Sequence, residues 1–535
     1  MGTRFPESQQ RAIDLRGCNI LVSAAAGSGK TAVLVERIVR LVSDPANDTD
    51  IDRILVVTFT NAAAAQMRER VLAALTQKAE QEPDNVHLLR QLTLIHNAKI
   101  TTIDSFCLNL IRNHFNEIGL DPDFRTADDG ERRLLEQDVL AQLLEDSFAR
   151  KDPAFLHCVE CFAPGGRESR LEGLILQLYQ FSMSYPWPEE WLLSHRPKEE
   201  APAWEGLEGE AWFGWMKRAV RAKLQESSLC AQENLRLCGE PDGPYHYAQA
   251  AGADAELTER LLELADGPDW CRKLWEALSN LSFARLSAKK DPSVSAEKKE
   301  AVKRGRERMK GLLAGLREKF FYADPRFWPG QQQDCAAAVR ALVDLVLEFM
   351  RRLEEKKREK NLLDFSDMEH LALKILQNRR EDGTVEPTRT ALEYREQYRE
   401  ILIDEYQDSN LVQEYLLQSI SGEDDGRFDR FMVGDVKQSI YKFRLARPEI
   451  FMEKFSSYRK DDGPCIRVDL KQNFRSRKEV TDCVNDVFFR VMHRELGGVE
   501  YDREAALYPG ASFPEPEGGE GEADPYAPEF LVALE

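Results

Sequence analysis

Several short groups of residues in this chain have types and spacings that could act on a nucleoside triphosphate. The first is Ala24-Ala25-Ala26-Gly27-Ser28-Gly29-Lys30-Thr31. Small residues let the backbone close round a phosphate with its N–H groups, and a helix opening at Lys30 adds its partial positive charge. Lys30 would reach the β- and γ-phosphates, and the Thr31 hydroxyl would meet Mg²⁺. Ala24 stands where the usual pattern has its first glycine. Hydrolysis also needs a metal carboxylate, an oriented water and charge on the γ-phosphate. Asp404, after the apolar run Ile401-Leu402-Ile403, is the expected metal carboxylate, and Glu405 is placed to accept the proton of the attacking water. Gln438 can hydrogen-bond a γ-phosphate, Arg475 can offset its transition-state charge, and the Gln9 amide matches the paired edge of adenine.

A second ligand is suggested by aromatic residues. Phe59, Tyr441 and Phe443 fall next to polar residues at the ends of apolar runs, an odd place for core side chains. Stacking bases on such rings is how single-stranded nucleic acid is often bound.

These residues need a sheet to position them. Ile20-Leu21-Val22 reads as a buried strand, and Val33, Leu34, Ile38 and Leu41 give the following helix an apolar side. Residues 53–60, 99–103, 400–403 and 431–433 read as further strands, and residues 5–18 as a short helix. Thr58, Phe59, Asn61, Thr102, Ser105 and Phe106 would then lie at the carboxyl edge of a sheet, where open α/β folds bind ligands. From about 108 to 360 the pattern is helical, with Pro- and Trp-rich interruptions and no repeat, so an inserted helical domain is expected there.

Composition sets limits. At 535 residues the chain has room for three or four domains. No apolar run approaches a membrane span; the best, 336–350, is broken by Arg340 and Asp344. Ten scattered cysteines form no framework and fit a reduced, cytoplasmic setting. Cys158-x-x-Cys161 lacks a second half and reads as ordinary packing. A net charge of −20 argues against nonspecific coating of nucleic acid but not against a local groove. Residues 289–319 hold 11 Lys or Arg against 5 Asp or Glu, a basic stretch that also suits a solvated helix face.

The motifs AAAGSGKT, VVTFTNAAAAQMRERV, TTIDSFC, LIDEYQDSN, VGDVKQSIYKFRLARPEIF and LKQNFRSR resemble, in order, those of superfamily 1 DNA helicases of the UvrD/Rep group. Within that group, Lys437 before Gln438, the FRLARPEIF continuation and LLDFSDMEHLAL look like the A subunits of bacterial AddAB (RexAB) helicase–nucleases. The resemblance spans residues 5–477. It implies that Gln9 reads adenine with Phe474 stacked on it, and that Ala24–Thr31 hold the phosphates. It also implies that Thr31 and Asp404 bind Mg²⁺, with Glu405 on the water and Gln438 and Arg475 on the γ-phosphate. Thr58, Phe59, Asn61, Thr102, Ser105, Tyr441, Phe443 and Arg444 would lie along a single DNA strand. Asp104 stands where many relatives have a histidine that touches DNA.

The expected fold is therefore α/β: a RecA-like P-loop lobe (1–107 and 361–465), an inserted helical domain (108–360), and an incomplete second RecA-like lobe (466–535). The last strand-like run, 530–534, would have nothing to pair with. Arg475, on so short a lobe, would be poorly fixed, and the chain alone would bind Mg·ATP, hydrolyse it slowly and unwind nothing. The expected activity is that of an ATP-dependent 3′–5′ DNA helicase motor of a helicase–nuclease in double-strand-break repair and recombination. It would act with an AddB-type partner subunit on single strands and duplex ends. Rival readings are a stand-alone UvrD-like helicase, a P-loop ATPase switching a protein partner, and an inert fragment that binds without turnover.

Overall fold

In the computed structural model the described residues are 5–47, 49–199, 209–380, 382–442, 445–494, 498–514, 526–529 and 531. Phe443 and Arg444 lie outside them, as does the run 530–534 apart from Leu531. The described chain divides into two compact units, residues 1–145, 173–194 and 346–535 forming one and residues 146–172 and 195–345 the other.

The first unit is built on one six-stranded sheet: β1 (Asn19–Ala24), β2 (Ile54–Thr58), β3 (Lys99–Thr102), β4 (Glu400–Ile403), β5 (Arg430–Gly434) and β6 (Cys465–Leu470), numbered within this sheet. The spatial order is β6-β1-β5-β4-β2-β3, and every pairing is parallel. Parallel strands buried on both faces must be apolar throughout, and these are. Ile20, Val22, Val56, Leu402, Phe431 and Val433 join a core with Val33, Leu34 and Ile38 of the helix Lys30–Ser43. The alternate residues Leu21, Leu55, Val57, Ile401, Ile403 and Met432 face a second core with Leu110, Leu373, Leu416 and Phe451.

One strand corrects the sequence-based division. A second lobe is expected from the sequence to open at 466, yet Cys465–Leu470 form β6, paired with β1 along its whole length from Asn19↔Cys465 to Ala24↔Leu470. Ile466, Val468 and Leu470 bury into the first core, which fixes the strand there. The helical stretch expected over 108–360 is likewise divided. Residues 108–145, 173–194 and 346–360 belong to the first unit.

A buried ion pair ties the nucleotide-side helices to the sheet. Arg37 of Lys30–Ser43 is 2% exposed, and its Nε donates to Glu400 Oε1 at 2.6 Å. Its Nη1 donates to Ala12 O at 2.8 Å and Leu15 O at 2.7 Å, anchoring the helix Glu7–Asp14, and the guanidinium lies 4.4 Å from the Phe431 ring centre. Arg37→Met leaves the Glu400 carboxylate buried without its partner. A loss of about 3–5 kcal/mol is expected, read as a lower urea midpoint; an unchanged midpoint contradicts this account of the helix–sheet joint.

The second unit is helical. Ala211–Cys238, Ala248–Asp266, Trp270–Ser279 and Ala296–Lys319 pack round Phe213, Leu224, Leu261, Leu274, Met309 and Leu313. The basic stretch noted above falls largely on the last of these helices, and many of its charges are matched within the unit. Lys298 pairs with Glu240 and Asp242, Arg308 with Glu226, and the buried Arg306 with Asp254. That pairing favours a solvated helix face over a nucleic-acid groove.

Among the described residues no helix is long and apolar enough to cross a membrane, and no group of three His, Cys, Asp or Glu is arranged to hold a metal.

A candidate nucleotide and strand-binding edge

Because all six strands are parallel, their carboxyl ends share one edge, and the chain leaves each strand there. Along the strand order the edge presents the turn after β6, the loop after β1, then the turns after β5, β4, β2 and β3. Nearly every sequence-predicted site residue is on these connections; Gln9 comes from the helix Glu7–Asp14.

The loop after β1 is shaped for an anion. Gly27 and Gly29 have φ of 69° and 81°, left-handed conformations that suit glycine. Among the described residues, no acceptor takes the N–H of Gly27, Gly29, Lys30 or Thr31. The Ser28 hydroxyl is buried and also lacks a partner among them. Unsatisfied donors at the start of a 14-residue helix make an anion site.

The loop is held from both sides. Gln9, 6% exposed, donates its amide to Ser28 O at 2.7 Å, so the residue predicted to read adenine also braces the phosphate loop. On the other side Ala25 N–H bonds Leu470 O at 2.9 Å, Asn473 Nδ2 bonds Ala26 O at 2.8 Å, and Phe474 N–H bonds Gly27 O at 2.9 Å. A Cβ on Gly27 would come within 2.9 Å of Arg475 Cβ, so Arg475 stands against the loop. Its backbone is not loose, contrary to the sequence-based expectation: Asn473 Oδ1 accepts the N–H groups of both Arg475 and Ser476 at 2.8 Å. The Arg475 side chain itself is exposed.

The acidic turn after β4 faces this loop. Lys30 Nζ lies 3.1 Å from Glu405 Oε2 and 3.3 Å from Oε1. Glu405 has φ 51°, left-handed and unusual for a residue with a Cβ. Asp404 N–H bonds Val57 O at 2.9 Å, which fixes the turn against β2, and Asp404 Oδ1 accepts Glu405 N–H at 3.0 Å. Burial, and then the charge of Glu405, push the Asp404 carboxyl up to about 6, with Lys30 pulling the other way. Asp408 is raised to about 6 by the same two causes. Hydroxyl and carboxylate oxygens are the ligands that Mg²⁺ prefers, and a crowded acidic turn is a setting that a divalent cation relieves. Thr31 and Asp404 therefore fit the group expected of them.

The turn after β5 holds the predicted sensor. Asp435, 1% exposed, accepts Gln438 Nε2 at 2.8 Å and pairs with Lys437 at 2.8 Å. The chain then runs to Tyr441, whose ring stands 4.5 Å from that of Phe59 at an interplanar angle of 30°. Both rings are half-buried. The geometry thus brings together two of the three aromatics picked from the sequence; Phe443 and Arg444 fall outside the described residues.

Beside them Thr58 and Thr102 are register partners on β2 and β3. Thr102 Oγ1 bonds Ser105 Oγ at 2.9 Å and reaches Asn61 Oδ1 at 3.4 Å, so these four polar residues form one cluster. Thr102 also caps the helix Ile103–His114 through the Ser105 N–H. Asp104 is pushed up to about 6 by burial and by Glu369.

Two residues of this edge are not assigned by the sequence. Gln407, 1% exposed, and Asn473, 3% exposed, are amides whose bonds hold the acidic turn and the phosphate loop. Each lies inside a motif already singled out, and a polar residue in a predicted turn gives no sign of burial.

The decisive comparison is with the family model of the UvrD/REP helicase N-terminal domain, which matches residues 5–459 and so takes in nearly the whole of this edge. The chain belongs to the UvrD/Rep helicase family. It is 48% identical over 515 residues to the A subunit of an ATP-dependent helicase/nuclease from Lachnoclostridium phytofermentans, a match covering 96% of this chain and 37% of that relative. Proteins of the same name from Clostridium beijerinckii and Anoxybacillus flavithermus are each 40% identical, over 96% and 95% of the chain and 41% and 42% of their own lengths. The chain thus spans about two-fifths of the length of these curated relatives. A mixed α/β unit on a parallel sheet, accompanied by many helices, agrees with the family assignment.

Proposed function

We propose that this chain is the ATP-dependent 3′–5′ DNA helicase or translocase motor of a helicase–nuclease acting in double-strand-break repair and recombination. The observation that carries the reading is the Lys30–Glu405 pair beside a loop of unsatisfied N–H groups, on the same sheet edge as the Phe59–Tyr441 stack. The 3′–5′ direction follows the UvrD/Rep resemblance. A partner subunit of the AddB kind, DNA ends as substrate and a cytoplasmic setting follow the names of the relatives.

The arrangement supports a simple exchange of partners. The N–H groups of Gly27, Gly29, Lys30 and Thr31 receive the phosphates of ATP, Gln9 and Phe474 flank its adenine, and Lys30 turns from Glu405 to the phosphates. Glu405, released, accepts the proton of a water that attacks the γ-phosphorus as the bond to the β,γ-bridging oxygen breaks. Gln438 and Arg475 would bind the γ-phosphate oxygens as charge builds on them. Thr31 and Asp404 would hold Mg²⁺, which neutralises charge between the phosphates when bound. Phe59 and Tyr441 would stack bases of a single strand, with Thr58, Asn61, Thr102, Ser105, Phe443 and Arg444 beside it.

The strand half of this reading is tested at Phe59. Phe59→Ala is expected to weaken binding of a labelled oligothymidylate by about 1–3 kcal/mol, as stacking on one ring supplies, with ATP affinity nearly unchanged. Fluorescence anisotropy reads both. Equal affinity in variant and wild type would make the Phe59–Tyr441 pair a packing contact.

A further inference from the structure

Gln407 is the one side chain, among the described residues, bonded both to the acidic turn and to the turn after β5. Its Nε2 donates to Glu405 Oε2 at 2.8 Å and to Asp408 Oδ2 at 3.1 Å, while its Oε1 accepts Asp435 N–H at 3.0 Å. The chemistry fixes which way the amide points: reversed, it would set a carbonyl oxygen against two carboxylates and an NH₂ against an N–H. Only an amide satisfies both sides. A Glu of the same size would bring a further carboxylate to Asp404, Glu405 and Asp408, and a Met would leave the buried Asp435 N–H without an acceptor.

The other wall of the site is a glycine. A Cβ on Gly434 would lie 2.4 Å from Gln407 Oε1 and 3.1 Å from the Phe451 ring. The φ of Gly434 is not in the left-handed region, so its missing side chain is required by space rather than by backbone conformation.

We infer that Gln407 is the positioning residue that holds the Glu405 carboxylate once Lys30 has left it for the nucleotide, and that Gly434 keeps Gln407 in place. The inference rests on the hydrolytic role proposed for Glu405. Without a nucleotide, Glu405 has Lys30 and Gln407 as partners; with Lys30 on the phosphates, Gln407 remains. Because Gln407 is also bonded to Asp435, which holds Gln438, the same amide keeps the proton acceptor in register with the γ-phosphate sensor.

The test uses the full chain with Mg·ATP under single-turnover conditions, where slow cleavage is still measured. A fluorescent ATP analogue reads affinity separately, without metal, and thermal midpoints read stability. Gln407→Glu, of equal size, is expected to slow cleavage at least tenfold, the scale on which a misplaced catalytic group costs rate, with analogue affinity within about twofold. Gly434→Ala, which leaves every polar group intact, is expected to give the same pattern.

In the double variant Gly434→Ala/Gln407→Ala the losses in cleavage should not add, and the midpoint should fall less than the two single falls summed, because the clashing amide is gone. Cleavage by Gln407→Glu at the wild-type rate overturns the inference. So does a loss of analogue affinity as large as the loss of cleavage, which would mark a merely structural role.

Glu405→Gln, run in parallel, separates the two claims. If Glu405→Gln cleaves ATP like wild type, the assigned proton acceptor is wrong and the inference falls with it. If Glu405→Gln is inactive while Gln407→Glu is fully active, the inference alone fails. If the wild-type chain cleaves no ATP, both fall.

Discussion

Glu405→Gln is expected to bind ATP at least as tightly as the wild-type chain and to cleave it at least about a hundredfold more slowly. The loss of rate is that of a general base, typically about 10²–10⁴-fold. The direction of the binding effect follows from the ion pair. In the nucleotide-free chain Lys30 is 3.1 Å from Glu405, so ATP must compete with a carboxylate for that ammonium. A neutral amide of the same shape competes less. Removing the proton acceptor therefore should not weaken the complex and can tighten it. Quenched-flow cleavage and analogue binding, measured on one preparation, read both; equal cleavage by variant and wild type would remove Glu405 from the mechanism.

Lys30→Ala is expected to lower ATP affinity by about ten- to a hundredfold, the worth of a charge-assisted hydrogen bond of about 1.5–3 kcal/mol. Two effects act in the same direction. The phosphates lose a cation, and Asp404, Glu405 and Asp408 lose the lysine that opposes their mutual repulsion. An acidic turn left uncompensated repels a polyphosphate. The double variant Lys30→Ala/Glu405→Gln should therefore recover part of the affinity, because one of the repelling charges is gone. Titration of both proteins with the analogue checks this; a double variant no better than the single would show that repulsion by Glu405 contributes nothing.

The part of the architecture that can be read from the residues is the part made by local chemistry. Apolar runs such as Ile401–Ile403 become strands in parallel sheets because both their faces are covered, and the polar residue after each run then falls on the carboxyl edge. Lys30, Asp404, Glu405, Gln438 and Arg475 can be picked out for that reason.

The place of β6 is not legible in the same way, because CIRVDL alternates apolar and charged residues. That is the pattern of an edge strand, and alternation does not say which sheet the edge belongs to. Its charged residues are satisfied locally: the Arg467 guanidinium lies 3.8 Å from the Phe455 ring centre and pairs with Asp469 at 3.0 Å. The boundaries of the helical unit fall at 145/146 and 345/346, inside the helices Asp129–Arg150 and Trp328–Glu359, where no break in periodicity marks them.

The charge of the basic stretch is visible in the sequence, but its neutralisation is not. Glu226, Glu240, Asp242 and Asp254 come from helices and turns about 40 to 80 residues away in the chain. Gln407 and Asn473 escape notice for a related reason. An amide becomes a strut only when separate connections converge on it, and convergence is a property of the sheet order.

The central claim is that the edge formed by the loop after β1 and the turn after β4 cleaves ATP. Single-turnover cleavage of labelled ATP by an excess of the wild-type chain, with and without oligothymidylate, bears on it most directly. The account predicts Mg²⁺-dependent release of inorganic phosphate that Glu405→Gln lacks. ATP that stays bound and intact over hours, with the DNA strand present and absent, would contradict it.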